Sequence, residues 1–233
     1  MNRTTAIILS IGLIMASTVF GIFFLTARNN DQTVNVVGYA TQDFECDLVK
    51  WEFQLHQTVD QGQSQTGLQQ INNNLEDFKD YIESSNIEVK DMNIQPVNSR
   101  PEYEKGEIVG QRIFQKISIL TKNLDEIEEL AINPAFLSQK GINIENSRLK
   151  YFRDDLDRLK ENLLGKATQN ARIRARKILE PTDLKIDKMI SANSGVFQIT
   201  EQYSTQVSSY GVHNTSSRKK TIKVTVRASF KVK

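Results

Sequence analysis

From Ile222 to Lys233 apolar and polar residues alternate without a break: Ile222, Val224, Val226, Ala228, Phe230 and Val232 against Lys223, Thr225, Arg227, Ser229, Lys231 and Lys233. Successive side chains of a strand point to opposite faces, so this segment predicts a strand with one buried and one wet face. A sheet wet on one side is covered by helices on the other side only. The expected fold class is therefore α+β, a mostly antiparallel sheet with helices packed on one face. The same alternation recurs at Val49, Trp51, Phe53, Leu55 and Val59, with Lys50, Glu52, Gln54, His56 and Thr58 on the wet side. Further strands are expected at Thr33 to Ala40, Met92 to Val97, Ile108 to Thr121, Ile142 to Phe152 and Leu184 to Ser191. The segment NSRPEYEKGE reads as a charged loop of a hairpin, and the polar stretch Val196 to Asn214 as a long loop or mobile hairpin tip.

The helices carry a different period. Leu68, Ile71, Leu75, Phe78 and Ile82 fall 3, 4, 3 and 4 residues apart, which sets one apolar stripe on a helix over Ser64 to Ser85. Asn123 is placed to cap a helix through LDEIEELAI whose first turns hold Asp125, Glu126, Glu128 and Glu129, where the helix dipole favours carboxylates. Pro134 would kink or end it, and Gly141 suits its C-terminal turn. The longest helix is expected from a cap at Asp154 or Asp155 to about Leu179, stopped by Pro181. Its inner side collects Leu156, Leu159, Leu163, Ala167, Ala171, Ala175 and Ile178. The alanines permit close approach to a sheet. Arg158, Lys166, Arg172, Arg176 and Lys177 occupy the opposite arc, which reads as the solvated face of an amphipathic helix.

Ahead of all this, Ala6 to Thr26 holds no charged residue. At about 1.5 Å per residue it is long enough to cross a hydrocarbon core of about 30 Å. A cleavable export signal has a shorter apolar region, about 7–15 residues, and a small-x-small site. Here Leu25-Thr26-Ala27 places a bulky residue where a small one is wanted, so an uncleaved anchor is expected over a cleaved signal. Residues 1–28 are thus the anchor or signal segment, and 29–233 one folded body.

That division changes the charge balance. The whole chain has 30 basic and 28 acidic residues, but the first 28 positions hold two of the basic ones, Arg3 and Arg28, and none of the acidic ones. The body keeps 28 of each sign and is neutral, which argues against a nucleic-acid partner. An exported body with one cysteine, Cys46, cannot close an internal disulfide. Cys46 is expected as a buried small residue, or else as a free thiol able to pair between chains. No neighbouring His or basic cluster in the sequence suggests a depressed thiol pKa.

Catalytic signatures are few. The two histidines, His56 and His213, belong to no HExxH or HxxxH pair, and there is no GxSxG, CxxC, GxGxxG or phosphate-loop pattern. No catalytic, cofactor-binding or metal-ligating residue is singled out, and no cofactor is expected.

The order of elements and several local phrases resemble the SIMPL-domain family of bacterial periplasmic and envelope proteins, whose members include the oxidative-stress defence protein and the periplasmic immunogenic protein. The family's V-x-V-x-G is matched by Val34, Val36 and Gly38. Its helix start is matched by Leu124 and Ile127, its glycine before a strand by Gly141, Ile142 and Asn143, and its Ala-rich helix by Ala167, Ala171 and Ala175. The chain departs from the pattern at Gln169 and Asn170, where the family helix is often smaller and more Ala-rich, and in its apparent anchor. The resemblance implies the fold, an envelope location and, in some members, ring assembly; it carries no catalytic residues. The expected function is a non-enzymatic envelope protein at the bacterial inner membrane, held through residues 6–26 with the body in the periplasm, or soluble there after cleavage. It would act through homo-oligomer assembly or contact with envelope proteins. The alternatives are a ligand-binding or oxidative-stress module using the 196–214 segment, and a hydrolase with a dispersed site.

Overall fold

The computed structural model describes residues 3–28 and 32–233. Its elements are α1 (Arg3–Arg28), β1 (Thr33–Glu45), β2 (Leu48–Asp60), α2 (Ser64–Ser84), β3 (Val89–Ile94), β4 (Asn98–Glu104), β5 (Glu107–Thr121), α3 (Leu124–Ile132), α4 (Ala135–Gln139), β6 (Ile144–Phe152), α5 (Leu156–Leu179), β7 (Ile186–Ser194), β8 (Gln198–Glu201), β9 (Val212–His213) and β10 (Lys219–Val232). The fold is α+β as expected, with its strands in two sheets of five. One runs β1-β10-β8-β9 with β7 also on β10; the other runs β3-β5-β2-β6 with β4 also on β5. Contacts divide the chain into two compact units, one of Met1–Tyr39, Leu164–Gly195 and Thr225–Lys233, the other of Ala40–Leu163 and Val196–Val224.

In the larger unit the β3-β5-β2-β6 sheet is antiparallel throughout, with Trp51 opposite Ile119 and Phe53 opposite Ile117. Trp51, Phe53, Leu55, Ile113, Ile117 and Ile119 all point to one face and are buried. That face meets the stripe of α2, where Ile71, Leu75, Phe78 and Ile82 are buried; the Phe78 ring stands edge-on to Phe53 with centroids 5.1 Å apart. Trp51 keeps its one donor satisfied by giving its indole N–H to Ser147 Oγ at 2.8 Å.

Two segments expected to be loops contain strands. NSRPEYEKGE forms β4 and the turn into β5: Glu104 pairs with Glu107, and Lys105 and Gly106 between them both have positive φ, 51° and 91°. A two-residue turn of this hand matches the twist of a hairpin. Pro101 is accommodated because β4 pairs only with β5. Val196 to Asn214 keeps a loop over 202–211, as expected, but is paired at both ends. It supplies β8, which pairs antiparallel with β10, and β9, which lies parallel to β8. The Gln198 amide stands in for a strand there, donating from Nε2 to Ser208 O at 2.7 Å and accepting Ser208 N–H at Oε1 at 3.2 Å.

The caps differ from expectation as well. Asn123 occupies the position before α3 but makes no side-chain cap bond; its Oδ1 accepts the Glu88 backbone N–H at 3.0 Å and so fixes the approach to β3. Asp155 precedes α5, but its carboxylate is held by Arg153 and Arg158.

In the smaller unit α5 packs by strict steps of four, with Ala167, Ala171, Ala175 and Leu179 buried and Ile178 exposed at 54%. Steps of four advance about 40° beyond a full turn, so the buried line winds around the helix and reaches Leu179 in place of the expected Ile178. Ala171 and Ala175 join Val36, Ala228 and Phe230 in one apolar cluster. Gly38 permits this contact, since a Cβ there would overlap the carbonyl of Ala167 and the backbone nitrogen of Ala171. The V-x-V-x-G phrase is therefore a helix-docking device. Beside it Tyr39 N–H donates to Asn170 Oδ1 at 3.1 Å and Arg174 Nη1 donates to Val37 O at 2.9 Å, with the guanidinium 4.8 Å from the Tyr39 ring centroid. Backbone groups at the edge of the sheet thus have side-chain partners on α5.

Candidate functional site

Two polar features of the larger unit stand out, one open and one sealed. The open one is the wet face of the β3-β5-β2-β6 sheet. Lys50, Glu52, Gln54 and His56 are the alternate residues of β2, and their cross-strand neighbours bring Lys116 and Ser118 from β5 and Arg148 and Lys150 from β6 onto the same side. Asp91, Asn93 and Gln95 extend this surface into a trough of about 600 Å³. Its charges hold one another. Glu52 lies 2.7 Å from Lys150 Nζ and 3.3 Å from Lys50 Nζ, and the Lys150 hydrogen bond outweighs partial burial to pull the Glu52 carboxyl below its usual range. Farther along, Arg112 donates to Glu145 Oε2 at 2.6 Å, and Arg100 lies over Phe114 at 5.7 Å. His56 sits among them with Nδ1 buried and unbonded; burial pushes its pKa down, with the Glu145 carboxylate working against that.

The sealed feature surrounds the two-residue connection between β1 and β2. Cys46 is 3% exposed and Lys220, on β10, 1%. Lys220 Nζ donates to Tyr151 O at 2.6 Å and also bonds the Cys46 thiol. Burial pushes the lysine pKa down and the thiol pKa up, the second effect partly offset by the ammonium. Tyr151 has its own pKa pushed up to about 12 by burial, then by its hydrogen bond to Glu128. Above this centre Arg218 joins three carboxylates: Glu45 at 2.7 Å, Glu128 at 3.5 Å, and Asp125. A lysine of lowered pKa is a competent nucleophile when a substrate can reach it. With both groups covered, the pair ties β1, β6 and β10 together. The expectation that Cys46 is a buried small residue holds, and the basic neighbour that the local sequence lacked comes from 174 positions away, at Lys220.

The structure does not unite the two histidines. His56 lies on β2 of one sheet and His213 on β9 of the other. Among the described residues no three of His, Cys, Asp and Glu converge in a way that could hold a metal ion. Lys220 was legible in principle, being in phase with Ile222 and Val224 on the buried face of β10. Arg218 gave no such signal.

A family model, SIMPL, described as a protein of unknown function (DUF541), matches residues 34–231. This chain belongs to the SIMPL family. The match begins at the V-x-V-x-G strand and closes within β10, so the SIMPL domain includes the wet sheet face, the Cys46 and Lys220 centre and the Gly38 contact with α5. No curated protein matches the chain. Outside the SIMPL domain lies α1, whose stretch Ile7–Phe24 is long and apolar enough to cross a membrane and has none of its residues buried. It fits a signal anchor or a signal peptide.

Proposed function

We propose that the chain is a non-enzymatic protein of the bacterial envelope, kept at the inner membrane by α1, whose SIMPL domain works by binding and assembling with further copies of itself. The observation that carries this reading is the open sheet face. It presents Lys50, Lys116, Arg148 and Lys150 interspersed with Glu52 and Asp91 across a wide trough. A mixed-sign surface of this kind gives orientation and partner choice. Glu52, held ionised between two lysines, supplies a fixed charge in place of an acid or base poised near neutral pH. Light scattering on the full chain in detergent tests assembly: a species of several copies is the expected result, and a strict monomer at high concentration overturns it.

A second reading is supported by the segment between β8 and β9. Tyr203 and Tyr210 are 98% and 95% exposed on a loop held at its base by the Gln198 amide. Exposed tyrosines on a fixed loop are typical anchors of a recognition surface. Replacing both by alanine and repeating a pull-down from native membranes separates the readings, because loss of a specific envelope protein with oligomer size unchanged would favour the loop.

A further inference from the structure

The smaller unit carries a groove of about 800 Å³ between the C-terminal half of α5 and the segment 182–186. Two exposed apolar side chains line it, Ile173 at 48% and Leu184 at 37%. Arg172, Arg176, Lys177 and Lys185 line it as well, together with the carboxylates of Glu180 and Asp183, so that cations outnumber anions by two. Lys177 is paired with Glu180 at 3.0 Å, whereas Arg172, Arg176 and Lys185 have no ionic partner among the described residues.

The position of this groove in the unit follows from register. Along α5, Asn170 meets Tyr39, Arg174 meets Val37, and Ala175 shares a cluster with Val36 and Val34, so each turn toward the helix C-terminus is a step toward the start of β1. At that end Val232 N–H donates to Gln32 O at 2.9 Å, and Lys233 exchanges backbone bonds with Lys185 at 2.8 and 2.9 Å. Gln32 and Lys185 thus flank the same strand end, about 10 Å apart at a spacing of two strands. From Gln32 only four peptide steps lead back to Arg28, the last residue of α1, a reach of at most about 14 Å. The apolar and basic groove is at the end of the unit from which the chain leaves for the membrane helix.

We propose that this groove docks on the anionic phospholipid headgroups of the bilayer that α1 enters, with Ile173 and Leu184 at the level of the acyl boundary and Arg172, Arg176 and Lys185 on the phosphates. Apolar residues beside an excess of cations form the composition of an interfacial surface, and the short chain keeps it near enough to the bilayer to reach the negative surface potential, which acts within a Debye length of about 8 Å at physiological salt. The inference rests on α1 remaining as an anchor.

The test is hydrogen exchange on the full chain in nanodiscs of phosphatidylcholine alone or mixed with phosphatidylglycerol, with carbonate extraction from native membranes run beside it. The expected result is slower exchange of the amides over 179–186 in the anionic discs only. That protection should be lost in the variant R172E/R176E/K185E, whose exchange elsewhere stays unchanged. Equal exchange in both discs, with the chain resistant to carbonate, overturns docking and leaves the anchor standing. Release by carbonate removes the anchor and this inference with it. Protection that instead appears in detergent and grows with protein concentration would assign the groove to a second copy, and so overturn the lipid assignment.

Discussion

Lys220 donates a hydrogen bond from its buried amine to the main-chain carbonyl of Tyr151 at 2.6 Å, so a strand of one sheet is fastened to a strand of the other by a single side chain. The Tyr151 ring lies in the same buried region, with its hydroxyl bonded to Glu128.

Alkaline stability should depend on Tyr151. Its folded pKa, about 12, lies above the ordinary value of 10, so its contribution is fully present below pH 10 and is lost as pH rises toward 12. Lys220 has the opposite slope, because its lowered pKa means that the unfolded chain binds the extra proton, and stability from this group rises as pH approaches the ordinary lysine value of about 10.4. Urea unfolding of the wild type and Tyr151→Phe between pH 9 and pH 12 isolates the tyrosine. The variant should lose less stability over the upper two pH units, by up to about 2 kcal/mol.

Removing the lysine itself should be costly at neutral pH. Lys220→Ala leaves the Tyr151 carbonyl without its donor and opens a cavity, a loss of about 2–4 kcal/mol by the usual sizes of those two effects. Lys220→Met refills the space and should recover part of it, since it also removes an amine that burial disfavours. A Met variant no more stable than the Ala variant in urea melts would show that the bond to Tyr151 is the whole of the effect.

Gly38→Ala places a methyl group against the α5 backbone at Ala167 and Ala171, where no side-chain rotation can relieve it. We expect a loss of about 2–3 kcal/mol, in the upper range for overpacking, read as a lower urea midpoint at unchanged slope. The same change at Gly165, which has open space around it, should be neutral or slightly stabilising because alanine is the better helix former.

The double change Asn170→Ala/Arg174→Ala removes both side chains that engage Tyr39 N and Val37 O. Each lost bond should cost about 1 kcal/mol, and the larger consequence should be faster amide exchange at Tyr39 and a greater tendency to aggregate, as an uncovered strand edge does. Thioflavin binding during prolonged incubation reads the second effect. An unchanged aggregation rate would show that the edge needs no cover.

Glu52→Lys turns the middle of the sheet face from mixed to basic by placing a third cation beside Lys50 and Lys150. For an exposed pair the stability cost should stay within about 1 kcal/mol. The oligomer size in light scattering should fall if this face makes the contact, and the urea midpoint reports whether the fold survived.

How far the fold could be read in advance follows the regularity of each element. Alternation in β2 and β10 and the stripe of α2 announced themselves because one face of each is buried against a partner. Lys220 obeys the β10 alternation, but a lysine reads as a solvent-facing residue unless its phase is followed back past Ile222. Gly38 was visible as part of a phrase, but its purpose is the helix backbone lying over it, which is brought there from about 130 positions along the chain. The segment from Val196 to Asn214 looked loose because its residues are polar; its order comes from the Gln198 amide imitating main chain, a pairing with no periodic signature. The wet sheet face was legible strand by strand, but which charges meet across it depends on a register shift in β6 between the partners of Glu52 and Gln54.

The side-chain cover of β1 also sets a timetable. β1 is made well before α5, since Asn170 and Arg174 follow their backbone partners by 131 and 137 positions. A nascent chain therefore carries an unguarded strand from the completion of β1 until α5 has been made. Truncated products that end before α5 would keep that vulnerable strand permanently, whereas any product that includes α5 has the side chains that cover it.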